Sequence, residues 1–292
     1  MLVVVAAVSA GAYSNTRELN AGKSAVGYVS VIPPTFTSYV PSNMVPALRA
    51  ADGDLPLIYR NGCITDLTAD DVKDCVFGSQ AARLTYALFG DSHSSQWYPA
   101  LEQYTQATAA KLRVFTRSSC PSADVDTGNE QCDRWRRNAI ARLNSLKPDV
   151  VVISNLRGRL TDKDRLEVWS AGLKRTMMSM PKGTRVVVIG DTPAFKVSPP
   201  VCLSAHLTET SACTRRHEEA VDHEWDFAEQ RAVELMGGAF VNMNDFLCTT
   251  FCGPVIGNVL MYRDSHHLSA TASRALSVEL GKRIEKALST PL

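Results

Sequence analysis

Two short runs constrain this chain more than any other feature. Asp149-Val-Val-Val-Ile-Ser154 and Arg185-Val-Val-Val-Ile-Gly190 are unbroken apolar stretches rich in β-branched residues. They are too short for ordinary helices and read as strands buried on both faces. Residues 164–180 between them have amphipathic helical spacing and stop at Pro181. The same alternation runs through the rest of the chain. Residues 84–89 form an apolar run ended by Gly90, 97–110 suit a helix, and 112–116 suit a second strand. Residues 134–146 are helical up to Pro148, 214–236 read as one long helix, and 239–242 read as a strand. Residues 270–288 make the last helix, with Ser269 as its N-cap. Apolar strands separated by helices predict a parallel sheet covered on both faces. The expected class is α/β, a flavodoxin-like three-layer α/β/α sandwich on roughly five parallel strands. Ligands of such sheets sit outside the carboxyl ends of the strands.

The part before residue 81 is different. Residues 13–80 hold Pro33-Pro34, Pro41, Pro46 and Pro56 with little helical periodicity. They read as an extended segment packed on a neighbouring domain that spans 81–292. Residues 1–12 are apolar apart from Ser9 and lack a basic flank. They are too short to cross a bilayer alone and a poor signal peptide. They read as the trailing end of a membrane helix, with a buried N-terminal strand as the other reading.

Eight cysteines fall into four neighbouring pairs: Cys63 and Cys75, Cys120 and Cys132, Cys202 and Cys213, Cys248 and Cys252. An even set of local pairs suits disulfides in an oxidising, extracytoplasmic compartment. Three of the pairs would close loops of roughly a dozen residues, each contributing about 3 kcal/mol. Cys248 and Cys252 are close enough to bond locally or to exchange partners. The paired Cys-x-x-Cys or Cys/His signature of a zinc site is absent. The net charge of +1 gives no electrostatic footprint for nucleic acid. Arg134, Arg136 and Arg137, and the pair Arg215 and Arg216, read as solvated helix faces. Trp97, Trp135, Trp169 and Trp225 lie at helical positions and read as core.

The chemistry gathers at the expected carboxyl ends. The strand at 84–89 runs into Gly90-Asp91-Ser92-His93. A serine on a tight strand-to-helix turn is held clear of the sheet. The helix N-terminus there, including the Ser92 N–H, offers donors to an oxyanion. Asp91 reads as a residue that holds this loop by hydrogen bonding. Asp264-Ser265-His266-His267 precedes the last helix. A spacing of three lets Asp264 reach the His267 Nδ1–H and leaves Nε2 to accept a proton from Ser92. Either motif alone also suits an ordinary polar turn; together, on one rim of the sheet, they point to a nucleophile, a base and its orienter. Gly190-Asp191-Thr192-Pro193 follows another strand end and reads equally as pocket lining or as a plain turn.

These residues resemble the SGNH (GDSL-type) hydrolases, which carry Gly-Asp-Ser near the start and Asp-x-x-His near the end. The nearer resemblance is to the SGNH domain fused behind the membrane acyltransferase-3 domain of bacterial polysaccharide O-acyltransferases. It runs from about Tyr59 to the last helix. It includes Asn61-Gly-Cys63, Cys75-Val-Phe-Gly78, Leu88-Phe-Gly-Asp-Ser-His-Ser-Ser-Gln-Trp97, Ser119-Cys-Pro121, Cys132-Asp-Arg-Trp135 and Pro148-Asp-Val-Val-Val-Ile-Ser154. The resemblance implies Ser92 as nucleophile, His267 as base and Asp264 as its orienter. Two family blocks depart from the pattern. No glycine follows the second strand, where Ser118-Ser119-Cys120 stands, so the Ser119 backbone N–H takes the donor role. Ser154-Asn155-Leu156 replaces the usual Gly-x-Asn-Asp, with Asn155 as the candidate donor. His93 and His266 flank the site as candidate substrate contacts or as supporting groups.

The resemblance also implies an extracytoplasmic O-acyltransferase domain tethered to the membrane in the full-length protein. The membrane acyltransferase-3 domain supplies the acyl group, expected to be acetyl, and an envelope glycan or glycolipid hydroxyl accepts it through an acyl-serine. A carbohydrate esterase uses the same residues with water as acceptor. A glycan-binding module that kept the fold would show a broken triad, and a structural envelope protein would show no pocket. Acyl transfer through a serine needs neither metal nor cofactor, and none is expected.

Overall fold

A computed structural model describes residues 19–73, 75–79, 81–157 and 164–289. The expectations for residues 1–12 lie outside the described residues. In chain order the first elements are β1 (Ile64–Thr65), β2 (Cys75–Gly78), β3 (Thr85–Gly90), α1 (Ser92–Ser95), α2 (Tyr98–Ala107), β4 (Lys111–Arg117), α3 (Glu130–Leu146), β5 (Val150–Ser154), α4 (Arg165–Met178) and β6 (Arg185–Ile189). They are followed by α5 (Pro199–Ala205), β7 (Arg215–Arg216), α6 (His217–Ala220), α7 (His223–Leu235), β8 (Ala239–Val241), β9 (Phe251–Cys252), β10 (Val255–Ile256), β11 (Val259–Leu260), α8 (Ala270–Ala275) and α9 (Ser277–Ser289).

Five strands in the order β4-β3-β5-β6-β8, all parallel, form the central sheet. This is the expected flavodoxin-like order. Side chains alternate between two cores, as a strand period of two requires. Tyr86, Leu88, Val150, Val152, Val187 and Ile189 face one core, which holds residues of α2 and α9. Ala87, Phe89, Val151, Ile153, Val186 and Val188 face the other, which holds residues of α3, α4 and α7. All four tryptophans are buried, as expected.

Beyond β4 the sheet is extended by β1, which pairs parallel to it, and by β2, which pairs antiparallel. The earlier residues cross the β10–β11 hairpin as irregular chain. Thr37 N–H donates to Val255 O at 3.0 Å, and Leu260 N–H donates to Val45 O at 3.0 Å. Val40, Met44, Leu48 and Ala51 form a third apolar cluster there with Leu203, Val255 and Leu260. All four neighbouring cysteine pairs are bonded, Cys248 locally with Cys252. Among the described residues no helix is long and apolar enough to cross a membrane.

The single helix expected over 214–236 is corrected to the short strand β7, which carries Arg215 and Arg216, followed by two helices. Val221 is extended, and the Asp222 side chain accepts from Trp225 N–H at 3.0 Å, so α7 starts with its own N-cap. The last helix also divides, at Leu276, although Ser269 caps α8 as expected by accepting from Ala272 N–H at 2.9 Å. The arginine cluster on α3 is not a wholly solvated face. Arg136 is 3 % exposed and donates to the carbonyls of Pro121 and Val125.

Gly90 sets the turn that carries the site. Its φ is +147°, and a Cβ there would stand 2.3 Å from the Ser154 carbonyl oxygen and 2.8 Å from Ser94 Oγ. Backbone on a neighbouring strand cannot yield as a flexible side chain would. Gly90→Ala is therefore expected to destabilise the fold by about 4 kcal/mol or more. Urea denaturation checks this, and a loss below about 1 kcal/mol would contradict this account of the turn.

Candidate active site

Sheet register brings the site together. Gly90 pairs with Thr116 of β4 on one side and with Ser154 of β5 on the other. Ser92 lies two residues beyond Gly90, Ser119 three beyond Thr116, and Asn155 one beyond Ser154. Three separate loops therefore meet at one rim.

Ser92 opens the four-residue α1 and is half-buried. Asp91 caps that turn and ties it to the loop after β5. Its Oδ1 accepts from His93 N–H at 2.8 Å, and its Oδ2 accepts from Leu156 N–H at 3.0 Å. This is the loop-holding role read from the sequence.

Ser92 Oγ lies 2.9 Å from His267 Nε2, and His267 Nδ1 lies 2.8 Å from Asp264 Oδ2. A carboxylate only accepts, so the His267 proton sits on Nδ1 and Nε2 is left to accept from Ser92. Asp264 Oδ1 accepts the backbone N–H groups of His266 at 2.9 Å and His267 at 2.8 Å, which closes the loop around the carboxylate. Gln96 braces the next residue by accepting from Leu268 N–H at 2.7 Å.

Electrostatics keep the chain in its reactive form. Burial pushes the His267 imidazole down to about 4, ahead of the opposing hydrogen bond from Asp264; the charges of His93 and Arg263 push the same way. Burial raises the Asp264 carboxyl, but the His267 hydrogen bond, two backbone amides and Arg263 at 3.1 Å outweigh it and hold it ionised. His267 is thus neutral at pH 7 and loses its acceptor only in acid. The acid limb of kcat/KM is expected near pH 4, below the ordinary imidazole value of about 6.5. A pH–rate profile checks this; a midpoint at or above about 6.5 would contradict it.

The groups expected as oxyanion donors lie on the three loops that meet at this rim. Asn155 is 3 % exposed, and its Oδ1 accepts from Ser122 N–H at 2.7 Å and Ser122 Oγ at 3.0 Å. Its amide orientation is thereby set, and Nδ2 has no partner among the described residues. Ser119 takes the left-handed φ of 57°, and its N–H, like that of Ser92, finds no acceptor among the described residues.

The two flanking histidines differ. His93 is fully buried, with both ring nitrogens engaged, so direct substrate contact is not open to it. Its Nδ1 lies 2.5 Å from Asp191 Oδ1, and its Nε2 lies 3.0 Å from His266 Nδ1. His266 is half-buried, and its Nε2 has no partner among the described residues. Asp191 is thus bonded into the histidine cluster and lines a cleft rather than standing in a plain turn. The sequence left it between pocket lining and a plain turn, because its partner lies 98 positions away. Arg157 was missed entirely. It is 8 % exposed, and its guanidinium lies 2.5 Å from Asp226 and 3.5 Å from Glu229, while its backbone N–H donates to Asp191 Oδ2 at 3.1 Å.

Among the described residues, one group of His, Cys, Asp or Glu gathers atoms at metal-ligand spacing: His93, His266 and His267, with one nitrogen each within 4.8 Å. On His93 and His267 both nitrogens already face hydrogen-bond partners. A cleft of about 450 Å³ opens beside Asp191 and Thr192, walled by Leu156, Arg157, Arg215 and Trp225. A larger cleft of about 780 Å³ lies at the β8 edge, away from Ser92.

The periplasmic domain of a lipopolysaccharide acetyltransferase from Salmonella ser. Paratyphi A has the same fold. It superposes with a TM-score of 0.62 at 20 % identity, covering 82 % of this chain and 98 % of that one. The inhibitor-bound aryl esterase of M. smegmatis gives a TM-score of 0.45 at 13 % identity, over 70 % of this chain and 99 % of that one. No curated protein sequence matches the chain. The family model described as the SGNH domain fused to AT3 domains matches residues 62–282, spanning the sheet, the Ser92 turn and the Asp264–His267 loop. The chain therefore belongs to the family of SGNH domains fused to AT3 domains.

Proposed function

We propose that this domain transfers an acyl group, in the first instance acetyl, through Ser92 to a hydroxyl of an envelope glycan or glycolipid outside the cytoplasmic membrane. The observation that carries this reading is the Asp264–His267–Ser92 chain, at 2.8 and 2.9 Å, on the rim where Asn155 Nδ2 has no partner among the described residues. Ser92 Oγ attacks the acyl carbonyl carbon as its proton passes to His267 Nε2. The bond to the donor's leaving oxygen then breaks, and that oxygen takes the proton from His267. In the second half, the acceptor hydroxyl gives its proton to His267 and its oxygen bonds to the acyl carbon. Ser92 Oγ leaves and recovers the proton. The N–H groups of Ser92 and Ser119 and the Asn155 amide hold the oxyanion in both halves, and Asp264 steadies the imidazolium.

The fusion that defines the family supports a membrane AT3 domain as the source of the acyl group. Four disulfides support an oxidising compartment. With water as acceptor the same residues make an esterase.

The test is an acyl-transfer assay on the folded chain with p-nitrophenyl acetate and a panel of methyl glycosides. Acetylated glycoside, identified by mass spectrometry, is expected alongside acetate. Glycan binding with neither acetate nor acetylated sugar would decide against catalysis and for a binding module.

A further inference from the structure

The catalytic chain uses one of three imidazoles packed at this rim. The other two form a second chain, Asp191–His93–His266, beside Asp264–His267–Ser92. The two chains meet in one loop. The His266 and His267 ring centroids are 4.1 Å apart, the His93 and His266 rings stack at 5.2 Å, and the His93 and His267 rings lie at 4.8 Å. Asp191 is itself fixed by the backbone N–H groups of Thr192 at 2.8 Å and Arg157 at 3.1 Å. A buried ionisable pair of this kind adds little to stability, because desolvation offsets its attraction. What it does supply is a set orientation for the ring at its open end, and that ring is His266.

Resting on the reading that Ser92 carries the acyl group, we propose that His266 Nε2 binds a second oxygen of the acyl acceptor, beside the hydroxyl that His267 deprotonates. Asp191 and His93 are positioning residues for it. The acceptor class is then a sugar with neighbouring oxygens, favoured over an isolated hydroxyl and over water.

Proton placement fits this role. The Asp191 carboxylate only accepts, so His93 carries a proton on Nδ1. Burial opposes charge on His93, but Asp191 at contact, with Asp91 and Asp264 nearby, outweighs it and raises its affinity for a second proton. Burial and the neighbouring His93 charge lower the affinity of His266, with Asp264 and Asp191 opposing and Arg263 reinforcing. His93 Nε2 and His266 Nδ1 share a hydrogen bond at 3.0 Å, which leaves His266 Nε2 as the open nitrogen of the chain. That nitrogen has no partner among the described residues. With the His266 and His267 ring centroids 4.1 Å apart, hydrogen bonds of about 2.9 Å from the two adjacent imidazoles reach neighbouring oxygens of a single sugar.

The experiment compares two acceptors competing for the same acyl-enzyme: a methyl glycoside with vicinal hydroxyls, and ethanol. Acetate is the donor's acyl group, and products are counted by mass spectrometry. The wild type is expected to favour the glycoside. His266→Ala is expected to lower the glycoside-to-ethanol ratio by roughly tenfold or more, the effect of one lost hydrogen bond. His266→Gln, which keeps a donor, is expected to restore part of the ratio, and Asp191→Asn to lower it with a raised KM for the glycoside. A folded His266→Ala variant with acyl-Ser92 in hand and the wild-type ratio intact would overturn this inference alone. A wild type that never carries acyl on Ser92 would overturn it together with the reading beneath it.

Discussion

Replacing Ser92 by alanine is expected to lower acyl-transfer and ester-hydrolysis rates by about 10⁴- to 10⁶-fold while leaving the fold in place. The size of the effect follows from what is lost. Ser92 Oγ lies 2.9 Å from His267 Nε2, and in the proposed mechanism no acyl-enzyme forms without it. The residual rate would come from the oxyanion donors acting on water attack. Stability is spared because the serine sits half-exposed at the first position of α1, while the hydrogen bonds that brace the turn belong to Asp91 and Ser94. Single-turnover release of p-nitrophenol measures the loss. A fall of less than about tenfold would remove Ser92 from the chemistry.

Asp264→Asn is expected to cost about 10⁴-fold in turnover, a loss comparable to that of the nucleophile from a residue that never touches the acyl group. The asparagine keeps the shape and one acceptor oxygen, so the two backbone bonds from His266 and His267 survive through Oδ1. The position facing His267 Nδ1 becomes an amide NH₂. Two donors cannot share that bond, so His267 moves its proton to Nε2, the nitrogen that must accept from Ser92. The loss therefore appears in kcat, and the lost Arg263 ion pair at 3.1 Å lowers the melting temperature without unfolding the chain. A variant with wild-type kcat would show that Asp264 serves only the loop.

The sequence made the central sheet legible because β3, β5 and β6 are buried on both faces and must be apolar throughout. Strands β1 and β2 were not legible. At two and four residues they are too short to carry a periodicity, and they exist because β4 offers its edge. The break at Val221 hid inside a helical pattern, where one aspartate side chain outcompetes continuation. The triad was readable because both of its parts are local: a strand-to-helix turn, and an Asp and a His three residues apart. The Asp191–His93 pair and the Arg157 network are not local. Asp191 stands 98 residues from His93, and Arg157 stands 69 from Asp226, so only the topology of the sheet brings them together. Arg136 shows the same limit, because a charged residue in a helical run looks solvated until the loop that covers it is placed.

The most direct test of the central claim, that Ser92 is an activated nucleophile, is covalent capture. The folded chain is treated with a fluorophosphonate, digested, and mapped by peptide mass spectrometry, with His267→Ala alongside. The account predicts a single adduct on Ser92 in the wild type and a large loss of labelling in His267→Ala. A folded wild type with Ser92 unlabelled, or one labelled equally well without His267, would contradict it.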